Sequence, residues 1–130
     1  MFKKILAVGL ILLPMADTAS AQSEAEMKAC VDRSGGVSTE MLKCGKIEID
    51  RWDKRLNAAY QALMHRGSRA ERATLQHEQR AWLGHHLKET RRLADDPNNG
   101  SLAFIVSQNF ELTDISQRTL ELEKRVKQEH

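Results

Sequence analysis

Aromatic residues are scarce: six of the 130 residues are Trp, Tyr or Phe, so a thick core built on large rings is excluded. Charge of one sign is also lacking. The 20 Lys and Arg are balanced by 18 Asp and Glu, which excludes both a strongly basic nucleic-acid binder and an acidic tail protein. No apolar run reaches the roughly 20 residues of a spanning helix. No segment alternates like a strand, and there are no internal repeats or low-complexity tracts. A Gly-x-Ser-x-Gly elbow, a Gly-rich phosphate loop and a His-Glu-x-x-His helix are all missing. Nothing therefore assembles a nucleophile, a base and an oxyanion site, and the expectation is a single small non-enzymatic domain with no cofactor.

The amino terminus carries the clearest signal. Lys3 and Lys4 precede an uncharged apolar run from Ile5 to Met15, and Ala19-Ser20-Ala21 gives the small-x-small pattern that signal peptidase reads. Residues 1–21 are expected to be a secretory signal and residues 22–130 a single periplasmic or secreted domain with no transmembrane span. Without the signal, 18 basic and 17 acidic side chains remain. An export route implies an oxidising compartment, where Cys30 and Cys44 can pair. Closing that loop contributes about 3 kcal/mol in the chain-entropy model. The spacing is not Cys-x-x-Cys, so a structural staple is favoured over a redox pair.

The rest reads as helix. A short first helix is expected over Glu24 to Val31, ending at Asp32-Arg33-Ser34-Gly35-Gly36, where the paired glycines permit a turn. Ser38 or Thr39 is the expected cap of a second helix running to Arg66, with Ile49, Trp52, Leu56, Ala59, Tyr60 and Leu63 along one face. Gly67 is expected in the left-handed conformation, and Ser68 with Glu71 forms a capping box that restarts a helix at Arg69. This third helix presents Leu75, Gln79, Trp82, Leu83, His86 and Leu93 on one side. Asp95 to Ser101 reads as a loop with Ser101 as the next cap, and the last helix carries Ile105, Leu112, Ile115, Thr119, Leu122 and Val126. The fold class is all-α: a small helical bundle, or an antiparallel hairpin with a further long helix.

His65, His77, His85 and His86 invite a metal hypothesis that helical geometry opposes. His77 and His86 fall on opposite faces, and His85 with Glu89 is the only i, i+4 pair, so solvated histidines and no metal are expected. The stretch from His65 to Arg92 holds seven Lys and Arg against three Glu, and Arg69, Arg72 and Arg80 are candidate contacts to anionic envelope components. Asp50 and Asp53 lie beside Arg51 and Lys54 and read as surface ion pairs. An aromatic-basic platform for nucleic acid is absent.

Cys30, Ser38-Thr39-Glu40-Met41, Cys44, Trp52-Asp53, Leu56-Asn57, Tyr60, Leu63 and Gln79-Arg80-Ala81-Trp82, in that order, resemble the exported helical family DUF1311. Its domain is also called the lysozyme inhibitor LprI-like N-terminal domain. The resemblance runs from Cys30 to about Leu122. It implies a secreted helical protein that acts by binding, with lysozyme inhibition attributed to a few members. Two cysteines usual in the family fall at Thr90 and Phe110 here, and the Arg-Asp that usually precedes the third cysteine is His86-Leu87. The motif residues also have a structural account: Leu56, Tyr60, Leu63 and Trp82 lie on buried stripes, and Asn57 or Gln79 could bridge helices.

The candidate partner-binding surface is the turn closed by the two cysteines, Arg33, Ser34, Gly35, Gly36, Val37 and Ser38, whose constraint lowers the entropic cost of binding. The partner expected is a protein of the lysozyme type. Many lysozymes are cationic, however, and a chain with this charge gains no long-range attraction to them. The second reading is an envelope structural or assembly protein whose basic central helix meets anionic lipid or cell-wall groups.

Overall fold

The computed structural model describes residues 15–128. Four helices account for most of them: α1 (Met15–Arg33), α2 (Ser38–Arg66), α3 (Arg69–Ala94) and α4 (Ala103–Gln128), with a 3-10 turn at Pro97–Leu102. No strand occurs among the described residues, and the all-α expectation holds. Lys3, Lys4 and nearly all of the apolar run lie outside the described residues. No helix among those described is long and apolar enough to cross a membrane.

α2 and α4 form the axis, and they run parallel. Gln108 reaches Leu42, Thr119 reaches Trp52 and Arg55 reaches Glu123, so ascending positions on one helix meet ascending positions on the other. α1 and α3 run back along α2 and α4 respectively. The core is the stripe Trp52, Leu56, Ala59 and Leu63 of α2 closed by Ile115 and Leu122 of α4 and by Leu75 of α3. Burying each large side chain stabilises by about 1.5–3 kcal/mol. Ile49 and Tyr60 are only partly buried, so the expected α2 stripe is right in phase and narrower than its full span.

Polar groups fix the register. The Arg55 guanidinium donates to both carboxylate oxygens of Glu123 at 2.9 and 2.8 Å and lies 4.2 Å from the centroid of the Trp52 ring. Between α3 and α4, Arg125 donates to Glu78 at 2.8 Å and buried Arg118 donates to Gln79 at 3.0 Å. Gln79 is thus the amide that bridges helices, whereas exposed Asn57 donates to Asp53 of its own helix. Asp50 pairs with Lys46, not with Arg51, which instead binds Glu48 and Glu26.

Several local expectations are corrected. Among the described residues the first helix covers Met15–Arg33, longer at both ends than Glu24 to Val31, and α2 supplies partners along its early turns: Ser23 donates to buried Glu48 at 2.5 Å, and Arg55 to Ser20 at 3.4 Å. Neither Ser38 nor Thr39 caps α2. The extended residue at that boundary is Val37, which offers no side-chain hydrogen bond. Gly67 is not left-handed but extended (φ −70°, ψ 151°), and a β-carbon there would stand 3.1 Å from the Leu63 carbonyl oxygen. The Ser68–Glu71 capping box is present in both directions, at 3.1 and 2.6 Å. Ser101 lies inside the 3-10 turn, whose cap is Asp96 accepting from the Asn98 amide at 2.9 Å. Leu83 is 45% exposed, because α3 packs chiefly on α4 and buries only a narrow stripe.

Candidate partner-binding end of the bundle

The candidate surface begins where α1 ends. The Ser34 hydroxyl donates to the Val31 carbonyl at 2.5 Å, and the Ser34 backbone oxygen accepts from the Val37 amide at 3.2 Å. This turn requires φ of 61° at Gly35 and 79° at Gly36, conformations that residues with a β-carbon resist. It also delivers Val37 to α2 in an extended conformation, which is why the side chains of Ser38 and Thr39 are past the capping position. Arg33, Gly35, Gly36, Val37 and Ser38 are exposed, with Ser34 half-buried beneath them. Cys30 and Cys44 form the expected disulfide at the base of the turn, with Cα atoms 5.8 Å apart. A cleft of about 300 Å³ beside it is lined by Glu26, Met27, Cys30, Arg33, Ile47 and Arg51 among others.

A second loop joins this end of the molecule. Gln108 Nε2 donates to the Leu42 carbonyl at 2.8 Å, with its amide over Gly45, where any β-carbon would collide with it. Gly45 thus leaves room for the Gln108 amide beside the disulfide. Because α2 and α4 are parallel, both amino termini lie here, and the 3-10 turn before α4 is at the same end of the molecule as the turn before α2. The second turn also depends on a glycine, Gly100 at φ 53°. Leu102 and Phe104 behind it are 59% and 65% exposed, and Val37 is 53% exposed. The end of the bundle therefore presents two glycine turns and three exposed apolar side chains. Leu102 and Phe104 escaped the sequence reading. The hint available was the Asn98-Asn99-Gly100 turn, but the side of α4 on which Phe104 falls depends on tertiary packing.

The other candidates lie elsewhere. Arg69 and Arg72 start α3 at the opposite end of the molecule, with Arg80 three turns on; all three are exposed. His86 overturns the expectation of solvated histidines. Its side chain is 7% exposed, its Nδ1 sits 2.6 Å from Asp114 Oδ2, and its ring lies 4.8 Å from that of Trp82 and 6.1 Å from that of Phe110. The cause is its place on the stripe that α3 turns to α4, where a carboxylate meets it. No substrate reaches so enclosed an imidazole in this conformation. His85 with Glu89 gathers no third ligand, and no group of three or more His, Cys, Asp or Glu suited to a metal occurs among the described residues. Glu89 instead binds Arg92 at 2.6 Å, which holds its carboxyl below the usual range.

The family cysteine positions can also be placed. The Thr90 carbonyl accepts from the Ser107 hydroxyl of α4 at 2.7 Å, while Phe110 lies one turn further along, its ring edge-on to that of His85. A hydrogen bond thus ties α3 to α4 at Thr90, where family members usually carry a cysteine.

One disulfide-stapled turn on an all-helical body defines the fold class among the described residues. Within it, the family model described as lysozyme inhibitor LprI matches residues 30–122, and the chain belongs to that family. Neither the curated proteins nor the solved structures gave a match.

Proposed function

We propose that the protein is an exported envelope protein that inhibits lysozyme-type enzymes by protein–protein contact, without catalysis of its own. The family match carries this reading. The contact surface is the end that carries Arg33, Ser34, Gly35, Gly36, Val37 and Ser38, widened to include Leu102 and Phe104. Exposed apolar side chains, with Val37 on backbone constrained by the disulfide and Phe104 on a helix, are what a protein partner can bury at reduced ordering cost. Charge plays a small part, since the net charge gives no attraction to a cationic enzyme. Export follows from the leader, with cleavage after Ala21 releasing Gln22 to the periplasm or beyond.

The test is a titration of the exported protein against several lysozymes acting on cell-wall substrate. Saturable slowing of lysis is expected, with Val37→Asp and Phe104→Asp each raising the concentration required at least tenfold while helicity stays unchanged. Absence of inhibition at micromolar excess would overturn the reading. Unchanged inhibition by both variants would move the contact surface elsewhere.

A further inference from the structure

We infer that the outward face of α3 is a docking surface for an anionic phospholipid bilayer, separate from the end of the bundle that carries the glycine turns. Charge on this helix is segregated. At about 100° per residue, Arg69, Arg80 and Arg91 fall on one line along the helix, each pair about 16 Å apart. Arg72 and Lys88 flank that line, and all five side chains are exposed. The arc from Arg72 to Lys88 covers about 160° and contains no carboxylate. All three acids of α3 lie on the far side, and each is engaged: Glu71 in the capping box, Glu78 with Arg125 of α4, Glu89 with Arg92. The three carboxylates of α3 thus lie away from this arc with partners of their own, while its cations face solvent.

Two leucines decide between a bilayer and a soluble polyanion. Leu83 and Leu87 are 45% and 44% exposed and lie within the same arc, Leu87 on the arginine line itself. A polyanion in water has no use for them. A bilayer takes arginines at its headgroups and leucines at the acyl boundary just below. Gly84, between them in sequence, has nothing within 4 Å of where a β-carbon would stand, so no described residue covers the face at that point. The span from Arg69 to Arg91 is about 33 Å of helix, long enough for all three arginines to engage one surface.

The experiment is co-sedimentation of the protein recovered after export with vesicles of phosphatidylglycerol and phosphatidylcholine, and with pure phosphatidylcholine vesicles. Binding to the mixed vesicles alone is expected, weakening as salt rises. Arg69→Gln/Arg80→Gln/Arg91→Gln should lower the partition about a hundredfold, at about fivefold for each cation lost. Leu83→Ala/Leu87→Ala should lower it severalfold with charge unchanged. Circular dichroism of both variants checks that α3 stays folded, since every substituted residue is exposed. Equal binding by wild type and the arginine variant would overturn the proposal. Loss on arginine substitution with no effect of the leucine variant would also overturn it, in favour of a soluble polyanion. Lysozyme inhibition by the arginine variant is expected to match wild type, so the two surfaces are tested separately.

Discussion

His86 of α3 and Asp114 of α4 meet at 2.6 Å beneath the rings of Trp82 and Phe110, with the histidine side chain almost fully enclosed. Family members usually carry an Arg-Asp pair where this chain has His86-Leu87. In this chain the side chain at position 86 is committed to a carboxylate of the neighbouring helix.

Removing either member leaves the other without its partner at a mostly dry interface. His86→Ala and Asp114→Ala should each destabilise by about 2 kcal/mol, and the double variant by clearly less than their sum. Chemical denaturation of the four proteins measures the coupling. Additive losses would show that the pair contributes through packing alone.

The same substitution should have opposite effects at two helical glycines. Gly45→Ala drives a methyl group into the amide end of the Gln108 side chain, breaks its bond to Leu42 and should destabilise by about 1 kcal/mol net of the gain in helix propensity. Gly84→Ala places a methyl in open space and should stabilise by about 1 kcal/mol through helix propensity alone. Thermal melts of the two variants give the sign directly.

Leu122 and Thr119 are the two large side chains with no exposure. Leu122→Ala should cost about 2–5 kcal/mol, the usual range for a core cavity. Thr119→Val should stay within about 1 kcal/mol of wild type, because the hydroxyl bonds the Ile115 carbonyl at 2.7 Å and that carbonyl sits in a helix regardless. Urea midpoints at constant slope distinguish the two.

Cys30→Ser/Cys44→Ser should lower stability by about 3 kcal/mol. The loss should fall unevenly. α1 otherwise rests on α2 through polar links such as Glu26–Arg51 and Ser23–Glu48, whereas α2 and α4 share the apolar core. Hydrogen exchange should therefore quicken across α1 well before it does in α2, and equal acceleration in both would contradict this account.

What could be read from the sequence follows the width of each interface. The α2 stripe was legible because Trp52, Leu56 and Leu63 repeat at helical spacing against a broad partner. The α3 stripe was half legible: Leu75 and His86 are buried, but Leu83 at its edge is not, since α4 covers a narrow strip. His86 falls on that stripe by its spacing, but its partner could not be read, because the Asp114 carboxylate is 28 residues away. Ser38 and Thr39 are good caps by type, yet the φ values of Gly35 and Gly36 set which residue arrives extended, and that residue is Val37. At the candidate site, the stapled turn was legible from its cysteines and glycines. Phe104 and Leu102 were not, because they join that turn only through the parallel pairing of α2 with α4.

That parallel pairing has a kinetic consequence. Parallel helices cannot be joined by a tight turn, and here the contacts between α2 and α4 link residues 66 to 68 apart in sequence. The nucleus for the core must therefore await the synthesis and reversal of α3. Non-local contacts slow folding, so refolding should be slower than for a bundle of this length whose helices pack chiefly on their sequence neighbours. The first assembled species should be the sequence-local α3–α4 hairpin, onto which α2 then closes.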